Sequence, residues 1–330
     1  AWVAFIGGAL AFAGNKLGLL PHTAMTENAL QIGSTIEVML LSFALGERIN
    51  EERRERLEHQ AFMLTEQENL TRAYERFVPD RFLALLGKAS IRDVNLGDHV
   101  EMTMSILFAD IRGFTTLSET MTPRENFDLL NGYLERMEPV LEEHGGFVDK
   151  YIGDCIMALF DRAPDDAVSA GVGLQQTLYQ LNEERALCGT QTFEIGVGIN
   201  LGEMMLGTIG AKGRLEGTVI SDAVNTASRI ESLTKTYGAS LIISQSTRRN
   251  LVNPGRFTIR VLDRVRVKGR VEPVMIYEVL DALPREIKKR RAAYIDTYEA
   301  AVKRFWSREF EQALKGFTAC EEQDPDDPVV

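Results

Sequence analysis

The sequence predicts an α+β sandwich over residues 100–280, with helical segments on either side. Three observations predict it. Strand-like runs alternate with amphipathic helical runs, several strands pair through tight glycine-containing turns, and neither a GxGxxG nor a GxxxxGK(S/T) loop occurs. Hairpins mixed with helices point away from a doubly wound parallel sheet. The missing loops remove support for the ordinary nucleotide-binding folds.

In chain order, MTMSILFADI (102–111) alternates as a strand, and PRENFDLLNGYLERMEPVLEEHG (123–145) is an amphipathic helix closed by Gly145. FVDKYIGDCIMALF (147–160) reads as a hairpin turning at Gly153-Asp154, and DAVSAGVGLQQTLYQLNEER (166–185) as a helix. FEIGVGINLGEMMLGTI (193–209) is expected to form a second hairpin, and SDAVNTASRIESLTKTYG (221–238) a helix ending at Gly238. SLIIS, RFTIRVLDRVRVKG and EPVMIYEVL complete the sheet.

A net charge of -11 argues against a nucleic-acid binder, because phosphate contacts need a basic surface. Cys155, Cys188 and Cys320 show no CxxC spacing, which supports neither a disulfide framework nor a zinc site. His22, His59, His99 and His144 fall singly and form no ligand pair at helical spacing.

Two apolar stretches lie at the start, residues 1–20 and 29–46, each approaching the roughly 20 residues that cross a bilayer. Arg48, Arg53, Arg54 and Arg56 follow at once and mark a cytoplasmic side. Buried soluble helices are the alternative, and Glu37 in a membrane would have to face other helices or water. The chain opens inside an apolar run, so residues 1–46 are read as the end of a larger membrane module.

Residues 47–78 read as one long polar helix with apolar positions Leu57, Ala61, Leu64, Leu70, Tyr74 and Phe77. Gln67, Glu68 and Thr71 interrupt the seam, which fits a weak parallel coiled coil or a solvated helix on its own domain. Phe77-Val78-Pro79 ends it, and a short amphipathic piece (81–86) and Gly87 follow. The expected organisation is therefore membrane segments at 1–46, a signalling helix and linker at 47–95, a catalytic domain at 96–282 and a helical tail at 283–330. The tail carries Tyr294, Tyr298, Phe305, Trp306, Phe310 and Phe317 at helical spacing, with small residues at Ala300, Ala301, Ala313 and Ala319. That pattern resembles one tetratricopeptide-type helix-turn-helix unit, which cannot bury its own face, so either the array continues beyond Val330 or the unit packs on the catalytic domain, with a protein partner for the tail as a further expectation.

The chemistry-bearing residues start with Asp110, where an alternating strand leaves the sheet, and Asp154, at a hairpin tip. Two acids at strand ends can converge on hard cations while leaving room for phosphate oxygens; singly, each is an ordinary turn former. Asn225 and Arg229 are four apart on one helix face, with Ser221 one turn earlier. An amide and a guanidinium so stacked can position a ribose and neutralise a phosphoryl group in transit, although a surface Arg-Glu pair would look the same. Lys150 on the hairpin strand and Thr218 before the Asn/Arg helix could read a purine edge.

LFADIRGFTTLSE, FVDKYIGDCIMALF, VGINLGE, GTVISDAVNTASRIE and VRVKG stand in the order and spacing of class III adenylyl and guanylyl cyclases, over more than half the chain. The resemblance implies a ferredoxin-like palm domain, active as a homodimer with its sites at the subunit interface. It implies that Asp110 and Asp154 of one subunit, helped by the Ile111 carbonyl, hold two magnesium or manganese ions. The other subunit would offer Lys150 and Thr218 to the base, Asn225 to the ribose, Arg229 to the α-phosphate and Lys268 to the terminal phosphates. The Lys150/Thr218 pair resembles that of ATP-selective members and mismatches the N1–H and O6 of guanine, so the expected reaction is ATP to cyclic AMP and pyrophosphate. A guanylate cyclase and a non-catalytic pseudocyclase are the alternatives. Gly217 and Ser221 depart from many bacterial relatives, which have an aromatic residue and Gly there. Residues 19–50 resemble the last transmembrane helix of bacterial seven-helix receptors, which implies a receptor-controlled enzyme in the bacterial inner membrane with a cytoplasmic catalytic domain.

Overall fold

The computed structural model describes residues 2–75, 79–211, 214–266 and 273–330, with backbone alone over 72–75. Lys268, Phe77 and the side chain of Tyr74 lie outside the described residues. The chain forms two compact units, Ala1–Phe77 and Val78–Val330.

In the first unit, α1 (Trp2–Lys16) and a short α2 (Ala24–Glu27) precede α3, which runs unbroken from Ala29–Glu75. The apolar stretch and the polar helix that follows it are one element. Gly46 is the only weak point between them, and a lone helical glycine costs only about 1 kcal/mol. Downstream, Arg48–Glu52 (3.5 Å) and Arg54–Glu58 (3.0 Å) lie four apart and support the helix. The seam between α1 and α3 is made of small residues. A Cβ on Gly33 would fall 2.7 Å from the Ala4 carbonyl oxygen and 3.3 Å from Gly8 Cα, the close backbone approach typical of helices in lipid. Large apolar side chains point outward instead, among them Trp2, Val3, Leu10, Val38, Met39 and Phe43. The apolar, largely exposed part of α3 is long and apolar enough to cross a membrane.

The second unit opens with α4 (Asp80–Leu85), and the sheet begins at β1 (His99–Ile111). α5 (Phe114–Glu119) and α6 (Pro123–Glu143) lead to the hairpin β2 (Phe147–Ile152) and β3 (Cys155–Phe160), then α7 (Pro164–Leu187) and β4 (Ile195–Ala211). β5 (Arg214–Ile220), α8 (Asp222–Tyr237), β6 (Leu241–Ser244) and α9 (Gln245–Arg249) follow, then β7 (Ile259–Val265) and β8 (Val274–Val279). Strand order is β2-β3-β1-β4-β6-β8-β7, with β5 paired to β4. The first four strands with α6 and α7 have the ββ-split βαβ arrangement of a ferredoxin-like unit, and β4–β6 is the parallel pair.

Alternation on β1 separates two cores. Leu107, Ala109 and Ile111 face α6 and α7, together with Tyr133, Met137, Leu141 and Leu174. Met104, Ile106 and Phe108 face α4 and α8, with Phe82, Val219, Ala223 and Ala227. Asp110 continues the second set, so its carboxyl leaves the sheet on the α8 side.

The hairpin expected within 193–209 does not form. β4 runs straight through Gly202, and the turn falls later, between β4 and β5. Gly202 serves packing rather than turning: a Cβ there would sit 2.6 Å from Ala223 Cβ. Gly198 likewise lets the backbone of α8 at Glu231 lie directly on the strand. A glycine pattern that reads as punctuation is here a bed for a helix.

Three helices close the chain: α10 (Arg285–Ala292), α11 (Ile295–Trp306) and α12 (Phe310–Glu321). α11 and α12 form a tight hairpin, with a Cβ on Gly316 falling 2.7 Å from Ala301 Cβ. They cover Val261 through Tyr294, Tyr298, Val302 and Cys320. Beneath them lies a buried ionic cluster. Arg260 donates to Asp327 (2.5 and 2.9 Å) and to Glu278 (2.7 Å), and the Tyr294 hydroxyl donates to Asp327 at 2.7 Å. Pro328 then packs on Gly238, the left-handed C-cap of α8 (φ 63°).

Candidate functional site

Asp110 is next to last in β1 and Asp154 occupies the β2–β3 tip. β1 and β3 pair with Ala109 opposite Ile156, which brings the strand end and the hairpin tip together. Burial, then the charge of Asp154 and a hydrogen bond with it, pushes the Asp110 carboxyl up to about 6, against the pull of Lys235. A third acid joins from α8: burial, then the charge of Asp110, pushes Glu231 up to about 7. The Cys155 thiol is also raised, by burial and then by Asp110. Among the described residues, the buried Tyr133 hydroxyl has no hydrogen-bond partner, and burial followed by these same neighbours raises its pKa. Like charges forced together under partial burial favour a cation.

The donor set suits a hard divalent ion: two carboxylates from different elements, with the Ile111 carbonyl at the same strand end. No cluster of three or more His, Cys, Asp or Glu able to hold a metal exists among the described residues.

Lys150 and Thr218 form a second constellation. Lys150 Nζ donates to Thr218 Oγ1 at 2.9 Å, with Asp149 Oδ2 at 3.4 Å and Glu216 Oε1 at 3.7 Å. Three strands separate β2 from β5 in the sheet order. The pairing sets Lys150 level with Phe108 of β1 and Thr218 level with His99, so a flat sheet would hold them roughly 19 Å apart across the strands and roughly 30 Å along them; this contact requires the sheet to curl.

Asn225 and Arg229 lie on α8, Asn225 exposed and Arg229 half-buried. Their helix is fixed from both ends. Ser221 caps it, accepting from Ala223 N at 2.9 Å and donating to the Glu203 carbonyl at 2.5 Å. Arg112 Nη2 donates to the Thr234 and Ala239 carbonyls (3.2 and 2.8 Å), tying the far end to the strand end beside Asp110. Within one chain the structure thus joins Asp110 with Asp154, and Lys150 with Thr218. Glu231 is the acid that sequence reading missed. Its only local signal is a place two residues after Arg229, and Gly198 beneath it is legible only once α8 is docked.

Residues 99–281 match the adenylate and guanylate cyclase catalytic domain. The chain belongs to this cyclase family. Residues 1–48 match the 7TM diverse intracellular signalling module, which together with the apolar part of α3 marks the N-terminal part as membrane-associated. An adenylate cyclase of Anabaena cylindrica is 46% identical over 213 residues, 63% of this chain and 42% of that protein. A terminal-differentiation-specific adenylate cyclase of Dictyostelium discoideum is 34% identical over 79% of this chain and 12% of its own length. The chain therefore spans less than half of either protein. Among solved structures, an adenylyl cyclase from P. aeruginosa is similar at 33% identity and a TM-score of 0.50, covering 55% of this chain and 95% of that one.

Proposed function

We propose that this protein is an adenylate cyclase, converting ATP to 3′,5′-cyclic AMP and pyrophosphate at a homodimer interface. The observation that carries the choice of substrate is the Lys150–Thr218 pair, 2.9 Å apart. The ammonium can donate to adenine N1 while the hydroxyl accepts from the N6 amine, and guanine presents the opposite pattern at both places. The relatives named adenylate cyclases point the same way.

In this reading Asp110, Asp154 and the Ile111 carbonyl hold two divalent cations, magnesium or manganese. Bound there, the ions would favour ionisation of the ribose 3′-hydroxyl and offset charge on the departing pyrophosphate. Asn225 of the other subunit orients the ribose. Arg229 stabilises charge on the α-phosphoryl oxygens as the 3′-oxygen bonds to phosphorus and the bridge to the β-phosphate breaks. Lys268 takes the terminal phosphates. Each chain carries both half-sites, so a homodimer holds two sites.

The domains proposed are membrane segments at 1–46, a signalling helix and linker at 47–95, the catalytic domain at 96–282 and a tetratricopeptide-like tail at 283–330. Exposed Phe305, Phe310 and Leu314 give that tail a surface for a protein partner. The orientation proposed is inner-membrane anchoring with the catalytic unit in the cytoplasm, and control by a receptor through α3. Exposed Leu57, Leu64 and Leu70 supply a seam for pairing with a second copy of that helix.

The deciding assay gives the purified full chain manganese with ATP or GTP and identifies products by mass. Cyclic AMP from ATP, with little product from GTP, is the expected result. Preferential cyclic GMP formation would assign it as a guanylate cyclase, and no product from either would leave the pseudocyclase reading.

A further inference from the structure

Gly217 precedes Thr218 on β5, and its missing side chain is filled from elsewhere. A Cβ at 217 would lie 2.7 Å from Phe82 Cζ and 2.9 Å from Cε1. Phe82 comes from α4, the segment through which the chain enters the catalytic unit. It is 3% exposed and sits in one core with Met104, Ile106, Met204, Val219 and Ala223.

α4 is itself held firmly. Arg81 Nη2 donates to both carboxylate oxygens of Asp161, just past the end of β3 (2.7 and 2.9 Å). The chain then turns at Gly87 (φ 68°), and Lys88 pairs with Asp98 at 2.7 Å. β5 has the weaker support: it hangs off the main strand path, hydrogen-bonded to β4, and residues 214–216 are exposed. The Phe82 ring meets its middle at Gly217, and Val219 is buried in the same core. Thr218 lies between Gly217 and Val219.

We propose that Phe82 is a positioning and specificity-determining residue for purine binding: its ring, seated over Gly217, sets where β5 holds Thr218 against Lys150. The strand itself carries no side chain at 217, and the ring beside it comes from the entering segment. A bulky side chain at 217 and a ring at 82 exclude each other, which accounts for the glycine. A shift of α4 therefore moves Thr218 without passing through the metal-binding acids or Arg229.

The inference rests on the adenylate cyclase reading, and the tests separate the two. In the full chain, Phe82→Ala is expected to raise the KM for ATP and to narrow the ATP:GTP preference, each about tenfold, with kcat changed about threefold or less. The double variant Phe82→Ala/Gly217→Tyr, which moves the ring onto the strand, is expected to restore both. Gly217→Ala alone, pushing a methyl against the ring, should raise KM in the same direction. A folded Phe82→Ala protein with unchanged KM and preference would overturn the proposal. So would a loss confined to kcat that the double variant does not mend, which is what lost packing alone produces. If Phe82→Ala does not fold, Phe82→Leu and Gly217→Ala carry the same expectations and the same power to overturn. If the wild-type chain turns over neither nucleotide, the function assignment fails first. Binding of a fluorescent ATP analogue then decides on Phe82, with weaker binding by the variants expected and equal binding contrary.

Discussion

Two sets of acidic residues behave in opposite ways in this protein, and the difference is what stands beside each. Burial and the charges of neighbouring acids, Asp154 among them, push Asp110 and Glu231 toward their neutral forms or a bound cation. Replacing Asp110 or Asp154 by Ala is expected to abolish turnover while leaving the fold intact, because neither supports a core contact that Ala would lose. Turnover at wild-type level in either variant, with magnesium or manganese, would remove the metal-binding assignment. Asp327 stands instead against Arg260. Burial raises its pKa, but the Arg260 hydrogen bonds and charge, Tyr294 and Arg291 outweigh it and hold the carboxyl below the usual range. Its folded pKa is depressed, so its contribution is complete above the unfolded value near 4 and disappears as pH falls through the folded value. Asp327→Ala leaves a buried guanidinium short of a partner, a loss of about 3–5 kcal/mol. Urea unfolding at pH 7 should show that loss, and unfolding at pH 2–3 should show a smaller difference from wild type. An equal difference at both pH values would contradict the linkage.

At the scale of the elements, the proposed control through α3 rests on its apolar and polar halves forming one unbroken rod of 47 residues. A rod transmits rotation where two helices joined by a loop would not. Inserting one residue near Gln67 turns everything downstream by about 100° and is expected to change activity strongly. A full heptad restores the facing of the seam and should change it little. Turnover across a one-to-seven-residue series, with dimerisation measured separately, tests this, and a flat profile would reduce α3 to a tether. β4 and α8 show a second coupling. The helix carrying Asn225 and Arg229 lies on a strand stripped of side chains at Gly198 and Gly202. Gly198→Ala pushes directly on the backbone of α8 at Glu231. The expected result is a loss of about 1–3 kcal/mol in stability, as for other overpacked sites, together with reduced kcat. Unchanged stability and turnover would show that α8 can shift freely.

For the whole molecule, the proposed chemistry requires residues from two chains. Asp110→Ala and Arg229→Ala proteins are each expected to be inactive, while a mixture regains activity because a heterodimer rebuilds one of its two sites. If mixed subunits that demonstrably exchange recover nothing, a site contained within one chain is favoured. The tail belongs to the same compact unit as the sheet. Its last residues reach the C-cap of α8 through Pro328, and its helices cover Val261 of β7. Any partner bound to the exposed Phe305, Phe310 and Leu314 surface therefore acts on a segment already joined to the catalytic helix.

By itself the sequence determined the local parts of this protein. Alternation marked β1, the Gly153-Asp154 turn placed the acid at a hairpin tip, and four-residue spacing put Asn225 and Arg229 on one face of α8. These follow from backbone geometry within a few residues, so they can be read without a partner in view. Tertiary structure decided the rest. Lys150 and Thr218 are 68 residues apart and meet because the sheet curls. Glu231 joins the acids only once α8 lies on Gly198, and Gly202 reads as a turn until Ala223 is found against it. Phe82 looks like one more apolar residue in a short helix until its ring is found over Gly217. Periodicity tells which face of an element is buried, whereas the residue that covers it is chosen by contacts distant in sequence, and no local pattern records them.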